Sequence, residues 1–138
     1  MSIRLPTHYR PSDDEEFMNP RQREYFRQKL VRWRAELLRG SSETLHHLQA
    51  GGLHEADAAD RATAEAGATI ELRTRGRERK LIMKIDEALR RIEDGSYGYC
   101  VETHMPIGLR RLEARPTATL CVEAQERHER RERVYRDD

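Results

Sequence analysis

The chain has little of what usually builds a globular core. Its 138 residues include two cysteines, two phenylalanines and one tryptophan. Hydrophobic residues make up 36% of the chain and charged residues 37%. This composition argues against a well-filled core of ordinary size. It is typical either of long exposed helices or of a disordered segment, and periodicity has to decide between the two.

The chain also lacks an excess of charge of one sign. It has 26 basic and 25 acidic residues, a formal net charge of +1. Proteins that bind the DNA backbone usually need uncompensated positive charge, so sequence-specific DNA binding is not expected. No apolar run approaches the ~20 residues of a membrane span. Two cysteines without a signal peptide predict a cytoplasmic protein. No phosphate-binding loop, HExxH motif or nucleophile elbow is present, so no enzyme is expected.

Helical periodicity is what the sequence does have. From Arg21 the residues of one stripe recur at steps of four and three, with one position skipped at Gly40, which is the period of a coiled-coil seam. Gly51 and Gly52 end this run, as glycines do at helix C-termini. The first stripe consists of Phe26, Leu30, Trp33, Leu37, Thr44 and Leu48. The second consists of Ala59, Ala62, Ala66, Ile70, Leu81, Ile85, Ala88 or Leu89, and Ile92.

Two such runs joined by a short connection predict a mainly α fold, a long antiparallel helical hairpin. At 1.5 Å per residue each arm would be about 45–50 Å long. We predict an N-terminal extension over 1–19 that packs on the C-terminal module, and a coiled-coil hairpin over 20–93 with its tip near 51–62. Residues 94–138 are predicted to form a small zinc-finger-like module followed by a terminal helix.

Two charged features of the hairpin have more than one interpretation. Asp57 and Asp60 either cap the second helix or meet a metal ion or basic residue of another protein. The second helix also has a basic flank, which is either a solvated face or a contact for an acidic protein or a phosphate-bearing ligand. This flank contains Arg73, Arg75, Arg77, Arg79, Lys80 and Lys84 against Glu71 and Glu78.

The C-terminal module has the spacing of a zinc site but only half of its thiols. Cys100, Thr103, Cys121 and Ala124 occupy the positions at which a four-cysteine zinc ribbon has its ligands. Because two of the four cannot supply a thiolate, zinc is not expected. A site completed by nearby histidines and a redox role of the two thiols remain alternatives. The basic stretch between the two cysteine turns is strand-like.

Three stretches together resemble one family. They are "DxxDRA" from Asp57, "ELRTRGRERKLIMKI" from Glu71 and "IGLRRLEARPTATLC" from Ile107. The chain from about Tyr25 to Ala124 looks like a DksA-type (DksA/TraR) bacterial transcription factor. It resembles the cysteine-poor branch of that family, which lacks the full four-cysteine site.

The resemblance implies a partner and a mechanism. Members bind RNA polymerase near its β′ subunit, insert the hairpin tip into the secondary channel and alter the stability of open complexes. They act at ribosomal RNA and biosynthetic promoters together with the effector ppGpp, without recognising a DNA sequence. We therefore expect a monomer with no stably bound cofactor.

The resemblance also assigns roles to individual residues. Tip residues near the polymerase active site would be Asp57, Asp60 and Ala62, and a polymerase-binding residue would be Arg77. The ppGpp contacts would come from Lys84, Arg115 and, more weakly, Gln125, where the family pattern has a lysine.

Three other functions fit parts of the sequence. A Gre-like factor enters the same channel but stimulates transcript cleavage, with tip carboxylates such as Asp57 and Asp60 holding a catalytic metal ion. A plain coiled-coil scaffold would self-associate and ignore polymerase. A zinc-ribbon DNA-binding protein would bind duplex DNA alone with a steep salt dependence.

Overall fold

The structure is a computed structural model that describes residues 3–51 and 58–137. Within these ranges it describes the side chains of all residues except 41–64 and 136–138. Its four α-helices are α1 (Pro20–Gly51), α2 (Ala58–Asp94), α3 (Leu109–Ala114) and α4 (Val122–Asp137). Within the described ranges the only β-pairing is an isolated bridge between Tyr99 and Pro106. The predicted mainly α fold is confirmed. None of the helices in these ranges is long and apolar enough to cross a membrane.

The chain divides into two compact units. The terminal unit consists of Met1–Leu30 and Glu87–Asp138, and the hairpin unit of Val31–Asp86. Both α1 and α2 contribute residues to each unit. The sequence-based division at residues 19 and 93 stays a prediction.

In the hairpin unit α1 and α2 run antiparallel. Only six residues separate Gly51 from Ala58, too few to lead the chain back along a helix of this length. Arg34 Nε donates a 2.7 Å hydrogen bond to Asp86 Oδ1, which joins the two helices. Trp33 and Leu37 of α1 are half-buried, so the predicted stripe on this part of α1 is confirmed.

The predicted stripe on α2 is correct at one end and wrong at the other. Ile85 is fully buried, but Ile70 is 62% exposed and does not line the interior. Steps of three and four back from Ile85 reach Glu71, so Ile70 lies one residue away from the seam. Glu71 is half-buried, and its Oε2 has no hydrogen-bond partner among the described residues. The half-buried side chains of this stripe include Glu71, Thr74, Glu78 and Leu81.

Most of the buried hydrophobic residues that the structure describes belong to the terminal unit. Tyr97 and Phe26 are almost completely buried, with ring centroids 5.7 Å apart. The Tyr97 hydroxyl donates a 2.8 Å hydrogen bond to the carbonyl of Pro116. The remaining buried hydrophobic residues of this unit are Met18, Leu30, Ala88, Ile92, Cys100, Ile107, Leu109, Leu112, Cys121 and Ala124.

The start of α1 follows from its local sequence. Asn19 Oδ1 accepts a hydrogen bond from the Gln22 amide at 2.9 Å, which makes Asn19 the N-cap. Pro20 suits the first helical position because its missing N–H would have had no partner there. Before the cap, the Phe17 ring meets the Tyr99 ring edge-to-face at 5.4 Å. The N-terminal segment therefore packs on the module that follows α2.

The segment after Gly108 is helical, so the strand-like interpretation was wrong. Gly108 has a φ of 104°, which favours glycine. Leu109 and Leu112 are both buried, and residues three apart share one face of a helix. The apolar spacing of this short segment therefore fits a single turn of helix pressed against the core.

Candidate functional site

The turn around Cys100 is held by its own backbone and by Thr103. The His104 amide donates to the Cys100 carbonyl at 2.9 Å, and the Thr103 amide donates to Cys100 Sγ at 3.5 Å. Thr103 Oγ1 lies 3.7 Å from Cys121 Sγ. Both thiols and Ala124 are buried. The four positions of the zinc-finger spacing thus do come together.

Their side chains do not fit a four-cysteine zinc ion. Such a site needs four donors in tetrahedral arrangement, whereas Thr103 offers a neutral hydroxyl and Ala124 a methyl group. Within the described part of the chain, no group of three or more His, Cys, Asp or Glu side chains could hold a metal ion. His128 Nε2 instead makes a close hydrogen-bond contact with Glu102 Oε1.

Cys100 is a buried thiol with an unusually acidic pKa. Burial raises its pKa, but hydrogen bonds from the Thr103 side chain and from three nearby backbone amides outweigh this effect, and its pKa falls to about 6. Cys100 and Cys121 are both free thiols. The local hydrogen bonds that would orient a metal ligand here stabilise the thiolate directly.

The predicted tip residues fall at the limit of the described structure. Asp57 lies outside the described residues, and the side chains of Asp60 and Ala62 lie outside them too. The backbone of Asp60 and Ala62 belongs to the first turns of α2. Capping and partner contact both remain predictions for these carboxylates.

The predicted polymerase and effector residues of the arm lie on one exposed helix face. Arg77 and Lys84 are both exposed, and positions seven apart in a helix point in nearly the same direction. Arg77 Nη2 donates to Thr74 Oγ1 at 3.4 Å. The hairpin unit thus presents two cations on one side of α2.

The other two predicted effector residues belong to the terminal unit. Arg115 is exposed and follows α3, with its amide bonded to the Arg111 carbonyl at 2.8 Å. Gln125 lies in the first turns of α4, and its Nε2 donates to Glu129 Oε1 at 3.3 Å. The side-chain amide of Gln125 therefore already has a negatively charged partner.

Sequence reasoning missed the residues that position the segment before Arg115. Lys29 Nζ donates to Glu113 Oε2 at 2.6 Å and to the Glu113 carbonyl at 3.0 Å. Arg111 Nε donates to the Leu120 carbonyl at 2.9 Å. These contacts join α1 to the end of α3, and α3 to the start of α4. Periodicity carries no signal for them, because their partners are 84 and 9 residues away.

Comparison with known proteins matches both halves of the chain. Residues 22–92 match the family model described as DnaK suppressor protein DksA, N-terminal domain. Residues 95–130 match the prokaryotic dksA/traR C4-type zinc finger. The second match holds although two of the four cysteines of that finger type are Thr103 and Ala124 in this chain.

Individual relatives match across most of their length. The RNA polymerase-binding transcription factor DksA of Caulobacter vibrioides is 69% identical over 130 residues, 94% of this chain and 92% of that protein. Its counterpart in Escherichia coli K12 is 43% identical over 125 residues, 91% and 83% of the two chains. The solved structure of transcription factor DksA2 from Pseudomonas aeruginosa aligns with a TM-score of 0.79 and 48% identity, covering 85% of this chain and 90% of that one. These matches, the helical hairpin and the zinc-finger spacing agree, and the chain belongs to the DksA family.

Proposed function

We propose that this chain is an RNA polymerase-binding transcription factor. The proposal follows the names of the relatives in Caulobacter vibrioides and Escherichia coli, which are RNA polymerase-binding transcription factors. The single observation that carries it is the exposed basic face of α2, on which Arg77 and Lys84 lie. A solvent-exposed row of cations on a two-helix arm suits contact with an acidic protein surface.

We further propose that the hairpin enters the secondary channel and that Asp60 acts at its tip. A two-helix arm is a thin rod suited to a channel: each helix with its side chains is about 10–12 Å wide, and with axes about 8–10 Å apart the pair is roughly 20 Å across. The effect need not be large at the active site. A bias of 1.4 kcal/mol shifts an open-complex equilibrium tenfold, so a few contacts near the catalytic centre suffice to change promoter activity.

The effector ppGpp is proposed to bind weakly compared with relatives that have a lysine at position 125. Gln125 adds no positive charge, and its amide donates to Glu129, whose carboxylate repels a phosphate group. Replacing Gln125 with lysine should therefore lower the ppGpp concentration that gives half-maximal effect. An unchanged concentration would remove Gln125 from the set of effector contacts.

The zinc-finger-like module is proposed to fold without metal. The proposal is supported by the burial of Cys100, Cys121 and Ala124 and by the contacts of Thr103 with both thiols. A strong chelator should leave the thermal unfolding midpoint unchanged, and Cys100→Ser should change stability only slightly. A large destabilisation on chelation, together with zinc in the purified protein, would contradict this proposal.

Oligomeric state, location and catalytic activity complete the proposed function. We propose a monomeric, cytoplasmic regulator without catalytic activity. Its relatives are named as transcription factors rather than enzymes. On backtracked polymerase complexes the protein should therefore not stimulate transcript cleavage, which separates it from a Gre-like factor.

The decisive experiment is transcription from a ribosomal RNA promoter by purified bacterial RNA polymerase, with ppGpp titrated. The wild-type protein should inhibit transcription, and ppGpp should deepen the inhibition. Asp60→Asn should bind polymerase like the wild type but fail to inhibit, since the amide keeps the size of the side chain and loses its charge.

The Asp60→Asn control needs its own test of folding. Circular dichroism and the thermal midpoint of the variant should match those of the wild type. Loss of structure in the variant would instead give the charge of Asp60 a structural role, such as an interaction with the dipole of α2. A folded wild-type protein that neither binds polymerase nor inhibits transcription would contradict the proposed function.

A further inference from the structure

The two cysteines of the chain form one cluster with Thr103. The Thr103 amide donates to Cys100 Sγ at 3.5 Å, and Thr103 Oγ1 lies 3.7 Å from Cys121 Sγ. The backbone amide of Cys121 also hydrogen-bonds to Cys100 Sγ. Because one threonine contacts both sulfur atoms and the backbone of one cysteine meets the sulfur of the other, the two thiols belong to one site. We name Cys100 and Cys121 the thiol pair.

The thiol pair is buried, but it lies just beneath the surface. Cys100 is 1% and Cys121 5% exposed, and both are free thiols rather than a disulfide. The residues that follow them in the chain, Val101 and Val122, are 54% and 47% exposed. A small ion therefore has to pass only one layer of side chains to reach the sulfurs. Burial at the same time keeps the cysteines of a second chain away from them.

Backbone hydrogen bonds fix the two cysteines in place. The His104 amide donates to the Cys100 carbonyl at 2.9 Å, and the Gln125 amide donates to the Cys121 carbonyl at 3.0 Å. The Val101 amide donates to the Thr119 carbonyl at 2.9 Å, which ties the turn after Cys100 to the segment before Cys121. Two donors held in this way are preorganised, so that a ligand shared by them orders little additional chain when it binds.

The number and type of the donors exclude most metal ions. Zinc sites and iron–sulfur clusters take three or four protein ligands, and calcium and magnesium take oxygen ligands. In the part of the chain that the structure describes, no third His, Cys, Asp or Glu completes a metal-binding group with the thiol pair. Thiolates are soft donors that select Cu(I). Cu(I) is also a d10 ion whose coordination two thiolates complete in a linear arrangement.

We infer that the thiol pair is a two-coordinate site for Cu(I), in which one ion joins Cys100 Sγ to Cys121 Sγ. The ion replaces any proton that the two sulfurs carry, and that proton passes to the solvent. The bound ion links the turn after Cys100 to the residue that precedes α4. It is a ligand of the folded module and not a part that the module needs in order to fold.

The test is the transfer of Cu(I) from bicinchoninate to the purified full-length chain, without oxygen and with ascorbate as reductant. The absorbance of the copper–bicinchoninate complex falls as the protein takes the ion. The wild type should take one ion per chain and should elute from a size-exclusion column as it does without copper. Its thermal midpoint should rise with Cu(I) and stay unchanged with Zn(II), because an ion that binds only the folded chain stabilises it.

Serine variants show whether both sulfurs bind the same ion. Cys100→Ser and Cys121→Ser should each lower the Cu(I) affinity on the order of 100-fold or more, since losing even an outer-shell partner of a metal ligand costs about 10–100-fold. The double variant should lose little more than either single variant, because two ligands of one ion act as a unit. Two independent one-thiol sites would instead leave each single variant with half of the capacity.

The double variant Cys100→Ser, Cys121→Ser is also the matched control for binding elsewhere. It keeps the four methionines and six histidines of the chain, which are the other side chains that bind copper. Its circular dichroism without copper should match that of the wild type. Transfer of Cu(I) to this variant as complete as to the wild type would assign the ion to those side chains and overturn the inference.

A measurement on the wild type alone covers the case in which a serine variant does not fold. Cu(I) should protect both cysteines from alkylation by iodoacetamide, as read by mass spectrometry of the intact chain. Zn(II) at the same concentration should protect neither. Alkylation of both cysteines at the same rate with and without Cu(I) would overturn the inference without any substitution.

The remaining outcomes also overturn the inference. They are one ion per two chains with a dimer on the column, a thermal midpoint raised equally by Zn(II), and the loss of two titratable thiols after copper is removed, which would indicate a disulfide. None of them bears on the proposed function, because binding to RNA polymerase is measured separately on the copper-free protein.

Discussion

The two units of the chain differ in where they keep their apolar side chains. Among the residues whose burial the structure describes, the terminal unit holds twelve of the thirteen buried hydrophobic residues and the hairpin unit holds only Ile85. Exposed large hydrophobic residues occur in both units, for example Met105 and Val134 in the terminal unit and Leu72 and Met83 in the hairpin unit. The difference between the units therefore lies in the buried residues that the structure describes, and not in what they expose.

The seam of the hairpin unit strengthens this contrast. Glu71 and Thr74 occupy seam positions that a stable coiled coil would give to leucine or isoleucine. One carboxylate oxygen of Glu71 is buried without a hydrogen-bond partner among the described side chains, which is unfavourable. The described part of the hairpin seam therefore contributes less apolar burial than the described core of the terminal unit.

Truncating a leucine to alanine should change the free energy of unfolding far more in the terminal unit than in the hairpin unit. Leu112 is fully buried and Leu72 is 54% exposed. Leu112→Ala should lower the free energy of unfolding by about 3 kcal/mol, through lost burial and a cavity. Leu72→Ala should change it by less than about 0.5 kcal/mol. Urea denaturation followed by circular dichroism measures both, and similar losses would erase the contrast.

Replacing a glycine with alanine should change the stability of the protein in opposite directions in the two units. Gly98 has a φ of 92°, and an added Cβ would lie 2.9 Å from Met18 Cγ. Gly98→Ala should therefore destabilise the protein by roughly 1–3 kcal/mol. Gly76→Ala should stabilise it by up to about 1 kcal/mol. The thermal midpoints of the two variants should move in opposite directions from the wild type, and a shift in the same direction would contradict the prediction.

Removing a hydroxyl group should also cost more stability in the terminal unit than in the hairpin unit, although both effects are smaller than those above. The Tyr97 hydroxyl donates to the Pro116 carbonyl in a buried setting, so Tyr97→Phe should cost about 1 kcal/mol. The Thr74 hydroxyl donates to the Ile70 carbonyl of its own helix in an exposed setting. Thr74→Ala should lie within about 0.5 kcal/mol of the wild type. A larger cost at Thr74 would mean that the hairpin seam depends on this hydroxyl.

Acid should weaken the terminal unit through Glu113. Partial burial raises the pKa of Glu113, but hydrogen bonds from Lys29 and Tyr25 outweigh it, so its pKa lies below 4.5 in the folded chain. A lowered folded pKa stabilises the protein above the unfolded pKa, and this contribution is lost as the pH falls through the folded value. The stability difference between wild type and Glu113→Gln should therefore be largest near pH 7.

The measurement for Glu113 is the urea midpoint of both proteins at a series of pH values. The two curves of urea midpoint against pH should begin to converge below about pH 4.5 and should meet below the lowered pKa of Glu113 in the folded chain. Protonated Glu113 and glutamine then carry the same charge. Curves that stay parallel to low pH would show that Lys29 and Glu113 contribute no charge-dependent stability.

The sequence predicted the helices well and the short segments poorly. Periodicity located α1 and α2, because residues such as Phe26 and Ile85 repeat along a buried stripe. It misplaced Ile70, since the large apolar residue between Ile70 and Leu81 is Leu72, which is exposed and lies off the seam. It also missed α3, a six-residue helix with Leu109 and Leu112 buried, because so short a segment shows too little periodicity to be recognised.

The candidate site was predictable in position but not in contacts. The spacing in the sequence predicted that Cys100 and Cys121 belong to one module. The structure adds that Thr103 contacts both thiols. Long-range contacts such as that of Lys29 with Glu113 depend on the folded arrangement of α1 and α3. No local pattern encodes such a pair, because charged residues are common along the whole chain.

The distribution of aromatic residues gives the protein an intrinsic fluorescent probe. Its only tryptophan, Trp33, is half-buried in the hairpin unit, while the tyrosines at positions 9, 25, 97, 99 and 135 all belong to the terminal unit. Excitation at the red edge of the absorption band selects the indole and ignores the phenols. Emission from Trp33 therefore reports on the surroundings of this residue in α1, in a mixture whose other components are tryptophan-free.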